Sequence, residues 1–433
     1  MPVLKAPRLA KRNAAAARSG SPETPLDSQS QITYHAGDVL LTGTLGVAIM
    51  KRLCITVSIL IGLYAGLFGQ QPSIRNPQID TETPEGQLIA QAGTSEDLAE
   101  KIKYLETFVE KYSDNPNVGF VYLQLQGLYA ADQTWDKVAE YGTKLLAIVP
   151  NDLEVRHNTI KAYEGLQDFD KLHALLLETK PIAEKQKAAL KPSEEDEDVQ
   201  TIWKNSVEYA SGVVDYIEYS LYTSSLKITD AATKVKFLDT LKEGYPEGRY
   251  KGQLAALYVP AYQQLGDIEK MVGAMRDGVA TDPTNEAYLF TLAQYHVGKD
   301  EREQAKGYAQ QLLQAMENKE KPANMSDEDW AKHKTLFTAR GNYMLGRIMV
   351  LEAKNNNDFR EARKLMLSAV EPMKEAGGQE WGIMAYMLGI CYVKLDIGGD
   401  NIRSATAWMS TAASVENPYQ AAARDTLSKI KGN

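Results

Sequence analysis

The stretch that decides the fold is "YAADQTWDKVAEYGTKLL" at residues 129–146, because its pattern returns 34 positions later. The second copy is "YEGLQDFDKLHALLLETK" at residues 163–180. Five residue types recur in the same order: Tyr129 and Tyr163, Trp135 and Phe169, Asp136 and Asp170, Lys137 and Lys171, Val138 and Leu172. Several matches at one period indicate an internal structural repeat, which a single match would not.

The same period returns further along the chain. It relates three more pairs: Tyr258 and Leu292, Tyr262 and His296, Met271 and Ala305. Turn-forming tetrapeptides recur as "VPND" at 149–152, "DPTN" at 282–285 and "NPYQ" at 417–420. Apolar residues spaced as in Leu98, Ile102, Leu105 and Val109 predict amphipathic helices. A lone helix pair cannot bury both of its apolar faces, so neighbouring pairs must stack.

We therefore expect an all-α fold, a right-handed α-α superhelix or solenoid of stacked antiparallel helix pairs. The expected elements are a helix at 96–112, helix pairs at 118–149, 152–180, 199–243, 251–280, 285–317, 335–372 and 380–415, and a closing helix at 418–431. The short β-branched stretch "SSLKITDAAT" at 224–233 is interpreted as a loop between helices.

The period and residue types resemble the tetratricopeptide repeat (TPR) family, whose unit is a 34-residue antiparallel helix pair. Four units carry the resemblance: Tyr122, Leu125, Tyr129, Trp135, Val138 and Pro150; Tyr258, Tyr262, Gly266, Met271 and Pro283; Leu292, Ala293, His296 and Ala305; Leu388, Gly389, Tyr392 and Ala405. Gln126, Ile160 and His296 depart from the family pattern. The resemblance covers residues 96–431 and implies an exported bacterial TPR-containing protein that binds other proteins.

In that family the first helix of each pair lines a concave groove. The resemblance implies a protein-binding groove formed by Phe120, Leu123, Ala130, Gln253, Ala256, Gln263, Phe290, Gln294 and Val297. These positions are apolar or amide-bearing and include no cation. Chaperone-binding relatives grip a terminal carboxylate with Lys, Asn and Arg on this face, and that set is not visible here. We expect an amphipathic helix or an extended segment as the guest.

An export signal is predicted at "MKRLCITVSILIGLYAGLFGQQ", residues 50–71. Lys51 and Arg52 precede an uncharged run of sixteen residues, from Leu53 to Phe68. A signal peptide has an apolar region of about 7–15 residues, and a membrane-spanning helix needs about 20. We expect a cleaved signal peptide over 50–69 and a periplasmic or secreted protein. The alternative is an inner-membrane anchor formed by residues 53–68.

The rest of the chain divides around this signal. Residues 1–49 are expected to be a disordered basic tail or a misannotated upstream extension, since Met50 followed by Lys-Arg is a plausible start. Residues 70–95 are expected to be a flexible linker. Residues 96–431 form the TPR-like solenoid, with insertions near 181–200 and 318–334. The acidic run in the first insertion is interpreted as a solvated loop that places negative charge before the next helix.

Composition restricts the partners. The net charge is −9, and residues 1–69 carry more cations than anions, so the excess of acids lies in the remainder. An acidic surface repels phosphate backbones, which excludes nucleic acid as an expected partner. Of the two cysteines, Cys54 lies in the signal and Cys391 follows it, so no intramolecular disulfide is expected after cleavage.

No catalytic, cofactor-binding or metal-binding set assembles from the sequence. His157, His173, His296 and His333 lack metal-ligand spacing, and His296 occupies a position that the family packs with Tyr. The aromatic residues Trp203, Tyr209, Tyr216, Tyr219 and Tyr222 crowd one predicted helix. They are interpreted as core residues or, alternatively, as the lining of a groove for a peptide or a glycan.

Three functional hypotheses follow. The preferred one is a non-enzymatic exported scaffold that binds an unidentified protein or peptide through its concave groove. The second is a cell-envelope polymer hydrolase or transferase framed by helical repeats, which requires histidines or carboxylates converging in a pocket. The third is a membrane-tethered structural spacer, which touches the membrane only if the signal segment stays uncleaved.

Overall fold

The computed structural model describes residues 74–193, 196–395 and 398–431. The predicted signal peptide and the tail at 1–49 lie outside these ranges. Eighteen α-helices and no strand occur in the described residues. They are α1 (Pro84–Thr94), α2 (Leu98–Lys111), α3 (Val118–Ala131), α4 (Trp135–Ile148), α5 (Leu153–Leu166), α6 (Phe169–Lys187), α7 (Glu197–Lys227), α8 (Ala231–Gly244), α9 (Leu254–Leu265), α10 (Ile268–Thr281), α11 (Glu286–Gly298), α12 (Arg302–Asn318), α13 (Asp327–Glu352), α14 (Asn356–Leu367), α15 (Val370–Ala376), α16 (Gly378–Leu395), α17 (Gly398–Ser414) and α18 (Gln420–Lys431). The predicted all-α fold class is confirmed.

The described residues divide into two compact units, one that ends at Thr159 (unit 1) and one that begins at Ile160 (unit 2). In unit 1, α1 packs on α2 and α3 on α4. In unit 2 the principal pairs are α6 with α7, α9 with α10, α11 with α12, α13 with α14, and α16 with α17. Each of these pairs consists of helices that are neighbours in sequence. The packing of α6 on α7 differs from the prediction, because it joins the predicted pairs at 152–180 and 199–243 rather than forming one of them.

The turn inside a helix pair is set by one residue with positive φ. Gln133 (φ 57°) and Gln167 (φ 55°) are separated by one 34-residue period, and so are Gly266 (φ 70°) and Asp300 (φ 63°). Gly266 takes this left-handed conformation without a steric penalty, whereas the other three residues carry a Cβ. The 34-residue period of the sequence therefore also appears in the backbone, as the spacing between residues with positive φ.

Small residues let helices approach closely. A Cβ on Gly142 of α4 would lie 2.1 Å from the Oγ1 atom of Thr159 on α5. Four periods later, a Cβ on Gly278 of α10 would lie 2.6 Å from the ring of Tyr288 on α11. The departure from the family pattern at Gln126 is accommodated by hydrogen bonding. Its side chain is fully buried, and Nε2 donates to the Thr159 hydroxyl at 3.1 Å.

The expected linker at 70–95 is wrong in its C-terminal part, where α1 forms. The side chain of Thr83 caps this helix by accepting a hydrogen bond from the Gly86 amide at 3.1 Å. Ile89 and Ala92 lie one turn apart on its buried face, against α2. One short amphipathic helix with a good N-cap was therefore overlooked because it lies outside the 34-residue repeat.

Both insertions are shorter than predicted. Helix α6 continues through Pro181 to Lys187, and α7 begins after its N-cap Asp196, so residues 188–196 remain between them; of these, 194 and 195 lie outside the described ranges. The second insertion, predicted near 318–334, comprises only residues 319–326, because Ser326 caps α13 and the helix begins at the next residue. The expected loop at 224–233 is confined to residues 228–230, since α7 runs to Lys227.

Among the described residues, no helix combines the length and the apolar character that crossing a membrane requires. The apolar run at 53–68 was outside the residues to which this finding applies.

Candidate protein-binding cleft

A cleft of about 400 Å³ opens on the surface of unit 1, and we call it the unit-1 cleft. It is lined by residues of α3, of α5 and of the segment that precedes α1: Phe120, Leu123, Gln124, Gly127, Leu128, Glu154, Asn158 and Arg75. Two of the predicted groove residues, Phe120 and Leu123, therefore lie together in one concave site.

The apolar floor of the cleft follows from the sequence of α3. Val121 and Leu125 are fully buried and hold one face of the helix against the core. Phe120, Leu123 and Leu128 are half-buried on the face that lines the cleft. Helix α3 thus carries apolar side chains on two faces. The second face is only partly covered, since Leu123 also packs against the buried cluster that contains Ile74. A helix of this kind leaves apolar surface available to a guest.

Gly127 keeps the cleft open. A Cβ built at this position would meet no atom within 4 Å, so the space above the glycine is empty. Its backbone is an ordinary helical one within α3. A larger side chain at this position would project into the cleft rather than into the core.

Acidic residues form one rim of the cleft, at the start of α5. The side chain of Asp152 accepts hydrogen bonds from the amides of Glu154 and Val155, both at 3.1 Å, and thereby caps the helix. Glu154 lines the cleft itself. Negative charge at this end of the helix also interacts favourably with the helix dipole.

Arg75 neutralises this acidic rim. Its Nη1 atom donates to Asp152 Oδ2 and its Nη2 atom to Asp152 Oδ1 at 3.2 Å and to Glu154 Oε2 at 2.6 Å. The hydrogen bond with Asp152, followed by the attraction of both carboxylates, raises the pKa of Arg75 despite partial burial. The side chains of Arg75 and Glu154 remain 44% and 57% exposed, so the contact is accessible to water.

Ile74 anchors the segment that carries Arg75. It is buried in an apolar cluster with Leu145, Val149 and Val155. Gly119 makes room for it, because a Cβ there would lie 2.8 Å from the Cγ2 atom of Ile74. Further along, Asn117 Nδ2 donates to the carbonyl of Gln78 at 2.8 Å. Residues 74–78 therefore lie against the beginnings of α3 and α5.

The remaining predicted groove residues are distributed differently. Ala130 is half-buried on α3 and does not line the cleft. Gln253, Ala256 and Gln263 are exposed on unit 2, at the start of α9 and along it. Phe290 and Val297 of α11 are buried in the core of unit 2, at 4% and 8% exposure.

Arg340 covers the face of α11 on which the resemblance placed a groove. Its guanidinium carbon lies 4.8 Å from the ring centroids of both Phe290 and Phe337. Gln294 is half-buried and donates to Glu380 Oε1 at 3.0 Å. Sequence reasoning overlooked Arg340 and Glu380 because they belong to later repeats, α13 and α16.

The aromatic residues of α7 differ in how far they are exposed. Trp203, Tyr216 and Tyr222 have structural contacts: Trp203 Nε1 donates to the Ala189 carbonyl at 3.1 Å, Tyr216 donates to Glu164 at 2.5 Å, and Tyr222 stacks on Tyr250 at 3.9 Å. Burial, followed by the charge of Glu164, raises the pKa of Tyr216. Tyr209 and Tyr219 are 39% and 47% exposed. The helix is thus neither wholly core nor a continuous aromatic groove.

The histidines make separate local contacts. His296 is 4% exposed, with its Nδ1 atom 2.5 Å from Glu301, which confirms the predicted core position. His173 is also buried, with Nε2 2.8 Å from the Thr240 hydroxyl. Cys391 is buried, and burial raises the pKa of its thiol to about 12. In the part of the chain that the structure describes, no group of three or more potential ligands could hold a metal ion.

The antiparallel pairs, the positive-φ turn repeated at 34 residues and the glycine contacts four periods apart together define the fold type. The helical array is thus a series of helix pairs that repeats every 34 residues, the pattern in which the sequence resembles the tetratricopeptide repeat family. No profile of a known family matches the sequence, and no curated protein matches it. The solved structures to which the chain is similar include yeast Tom70 and the TPR domain of P58(IPK).

The Tom70 structure is 14% identical, with 81% of this chain and 89% of that chain covered and a TM-score of 0.25. The P58(IPK) structure is 11% identical, with 77% and 84% covered and a TM-score of 0.27. Likenesses at this level place neither a function nor a site on this chain.

Proposed function

We propose that this protein is a non-enzymatic exported scaffold that binds another protein through the unit-1 cleft. The observation that carries the proposal is the half-buried apolar floor that α3 gives the cleft, formed by Phe120, Leu123 and Leu128, beside an acidic rim. Apolar side chains grouped in a concave site, with polar groups at the edge, match the core-and-rim composition of protein interfaces. TPR-type arrays are suited to such binding because stacked helix pairs present extended surfaces.

Export remains part of the proposal. It is supported by the basic start and the uncharged run of the segment at 50–69. Removal of that segment would leave an acidic chain whose one remaining cysteine, Cys391, is buried. The anchored alternative, with residues 53–68 in the inner membrane, predicts a species that is recovered only with detergent. Intact-mass measurement of the exported product separates the two, since cleavage predicts an N-terminus near Gly66 or Gln70.

Affinity capture from an envelope extract tests the binding proposal. The bait is the full chain, and the test variant is Gly127→Trp, which fills the cleft from a position where a Cβ meets nothing. The matched control is Gly127→Ala, which leaves most of the cleft open. A protein recovered with wild type and Gly127→Ala, and lost with Gly127→Trp, supports the proposal. Equal recovery with all three baits refutes it.

A further inference from the structure

We propose that the acidic rim of the unit-1 cleft is the docking subsite for an arginine or lysine of an extended partner segment, and that Ile74 and Arg75 occupy this subsite in the free protein. The inference rests on the proposed function, because it assumes that the cleft binds protein. It adds the chemical class of the guest and an internal competitor.

The first support is the origin of the occupant. Arg75 contacts residues 77 and 79 positions away, Asp152 and Glu154, and it comes from a segment that precedes the helical repeats. The repeats themselves supply the carboxylates, while the cation arrives from outside them. The segment that carries Arg75 therefore contacts the repeats as a bound peptide would, although it belongs to the same chain.

The second support is the two-point anchoring. Ile74 enters an apolar pocket, and the next residue, Arg75, binds the carboxylates of Asp152 and Glu154. Ile74 is 8% exposed among Leu145, Val149 and Val155, and Arg75 follows it directly. Gly119 shapes the pocket for an inserted side chain. A partner segment with a β-branched residue followed by a cation would satisfy the same two points.

The third support is the exposure of the charged contact. The ion pair between Arg75 and Glu154 is exposed on both sides, at 44% and 57%, whereas Asp152 is 14% exposed. Exposed ion pairs contribute little to stability. Arg75 and Glu154 also line the cleft that holds Phe120 and Leu123. A guest whose cation replaced Arg75 would therefore continue directly over the apolar floor, with its charge complementary to the rim.

Because the segment is tethered to the unit that it occupies, its effective concentration at the rim is roughly millimolar. A free peptide of similar chemistry is outcompeted in the wild-type protein. Emptying the subsite should consequently tighten peptide binding by at least about tenfold. The gain should shrink at high salt, because added ions screen exposed charges.

The probe is a fluorescently labelled peptide that copies residues 70–80, "QQPSIRNPQID". Its binding to the full chain is followed by anisotropy for wild type and for the double variant Ile74→Ser/Arg75→Ala. We expect at least about tenfold tighter binding to the double variant. Adding Glu154→Gln to that variant should weaken binding several-fold, and a peptide with glutamate in place of its arginine should not bind.

The single variant Arg75→Ala serves as a second test in which the Ile74 anchor remains in place. The matched control is Lys242→Ala, which removes another exposed ion pair, with Asp277, in unit 2. The inference is overturned if the peptide binds wild type, the double variant and Arg75→Ala with equal affinity. It is also overturned if the glutamate peptide binds the double variant as tightly as the arginine peptide does. One outcome separates this inference from the proposed function. If Gly127→Trp abolishes partner capture but the peptide that copies residues 70–80 does not displace that partner, the proposed function stands and this inference fails.

Discussion

Phe120 and Phe290 occupy the same position of the repeat, five periods apart, and the structure gives them opposite environments. Phe120 is half-buried at the edge of the unit-1 cleft, whereas Phe290 is 4% exposed beneath the guanidinium of Arg340. The same shift relates Gln124 in the cleft to Gln294, which is bonded to Glu380. A repeat position therefore predicts which face of a helix a residue occupies, but not whether a later helix covers that face.

The strongest test of this difference replaces each phenylalanine with aspartate. Phe290→Asp should lower the free energy of unfolding by about 4 kcal/mol or more, since it removes a buried ring and buries a charge. Phe120→Asp should lower it by no more than about 1 kcal/mol while abolishing partner capture. Urea unfolding of both variants provides the measurement. Similar losses at the two positions would contradict the assignment of Phe120 to an open cleft.

Two glycines of unit 1, Gly142 and Gly127, sharpen the comparison with smaller changes. Gly142→Ala should destabilise the protein by about 1–3 kcal/mol, because the added methyl group collides with Thr159 across a tight helix contact. Gly127→Ala should stabilise it by about 0.5–1 kcal/mol, because the site is open and alanine reduces the entropy of the unfolded chain. Thermal unfolding of the two variants should shift the midpoint in opposite directions.

The ion pairs at the start of α11 predict that the stability of the protein depends on pH. Burial opposes ionisation of Glu286, but hydrogen bonds from Lys319 at 2.5 Å and from His333 at 2.7 Å outweigh it and lower the pKa of Glu286 below its usual 4.5. A lowered folded-state pKa stabilises the protein above the unfolded pKa, and this stabilisation is lost as pH falls through the folded value. The loss is therefore expected below about pH 4.5.

Glu286→Gln isolates this contribution. The variant should be less stable than wild type at neutral pH, and the difference should narrow as pH falls below the unfolded glutamate pKa. Urea unfolding at a series of pH values between neutral and acidic conditions is the measurement. A constant difference between variant and wild type across this series would show that Glu286 does not titrate as described.

The smallest expected effect belongs to the rim itself. Arg75→Ala should change the free energy of unfolding by less than about 1 kcal/mol, because exposed ion pairs in water contribute little. The change should diminish further in high salt. A loss of several kcal/mol, measured by urea unfolding, would mean that Arg75 is a structural element of unit 1 rather than an exchangeable occupant of its cleft.

Much of the fold was predictable because its causes are local. The period of apolar residues placed the pairs α3 with α4 and α9 with α10 within a few residues of their observed bounds. Helix α1 was missed because it stands outside the repeat. The end of α7 was placed too early, because residues 224–227 were interpreted as part of a loop, whereas the helix continues through to Lys227.

The candidate site was predictable only in part. Phe120 and Leu123 were identified from their repeat position, and both line the cleft. The acidic rim was not identified, because Asp152 appeared only as part of a turn motif. Arg75 could not be identified, since nothing local indicates that it meets a carboxylate 77 residues away.

The sequence by itself determined the 34-residue period and the helix pairs that follow it, such as α3 with α4 and α9 with α10. These depend on the spacing of apolar residues and on turn preferences, which act over a few residues. Only the tertiary structure decided that Phe120 borders a cleft while Phe290 lies under Arg340, and that Arg75 occupies an acidic rim. Those outcomes depend on which distant helix or segment covers a given face, and burial by a distant partner leaves no periodic trace in the residues that it covers.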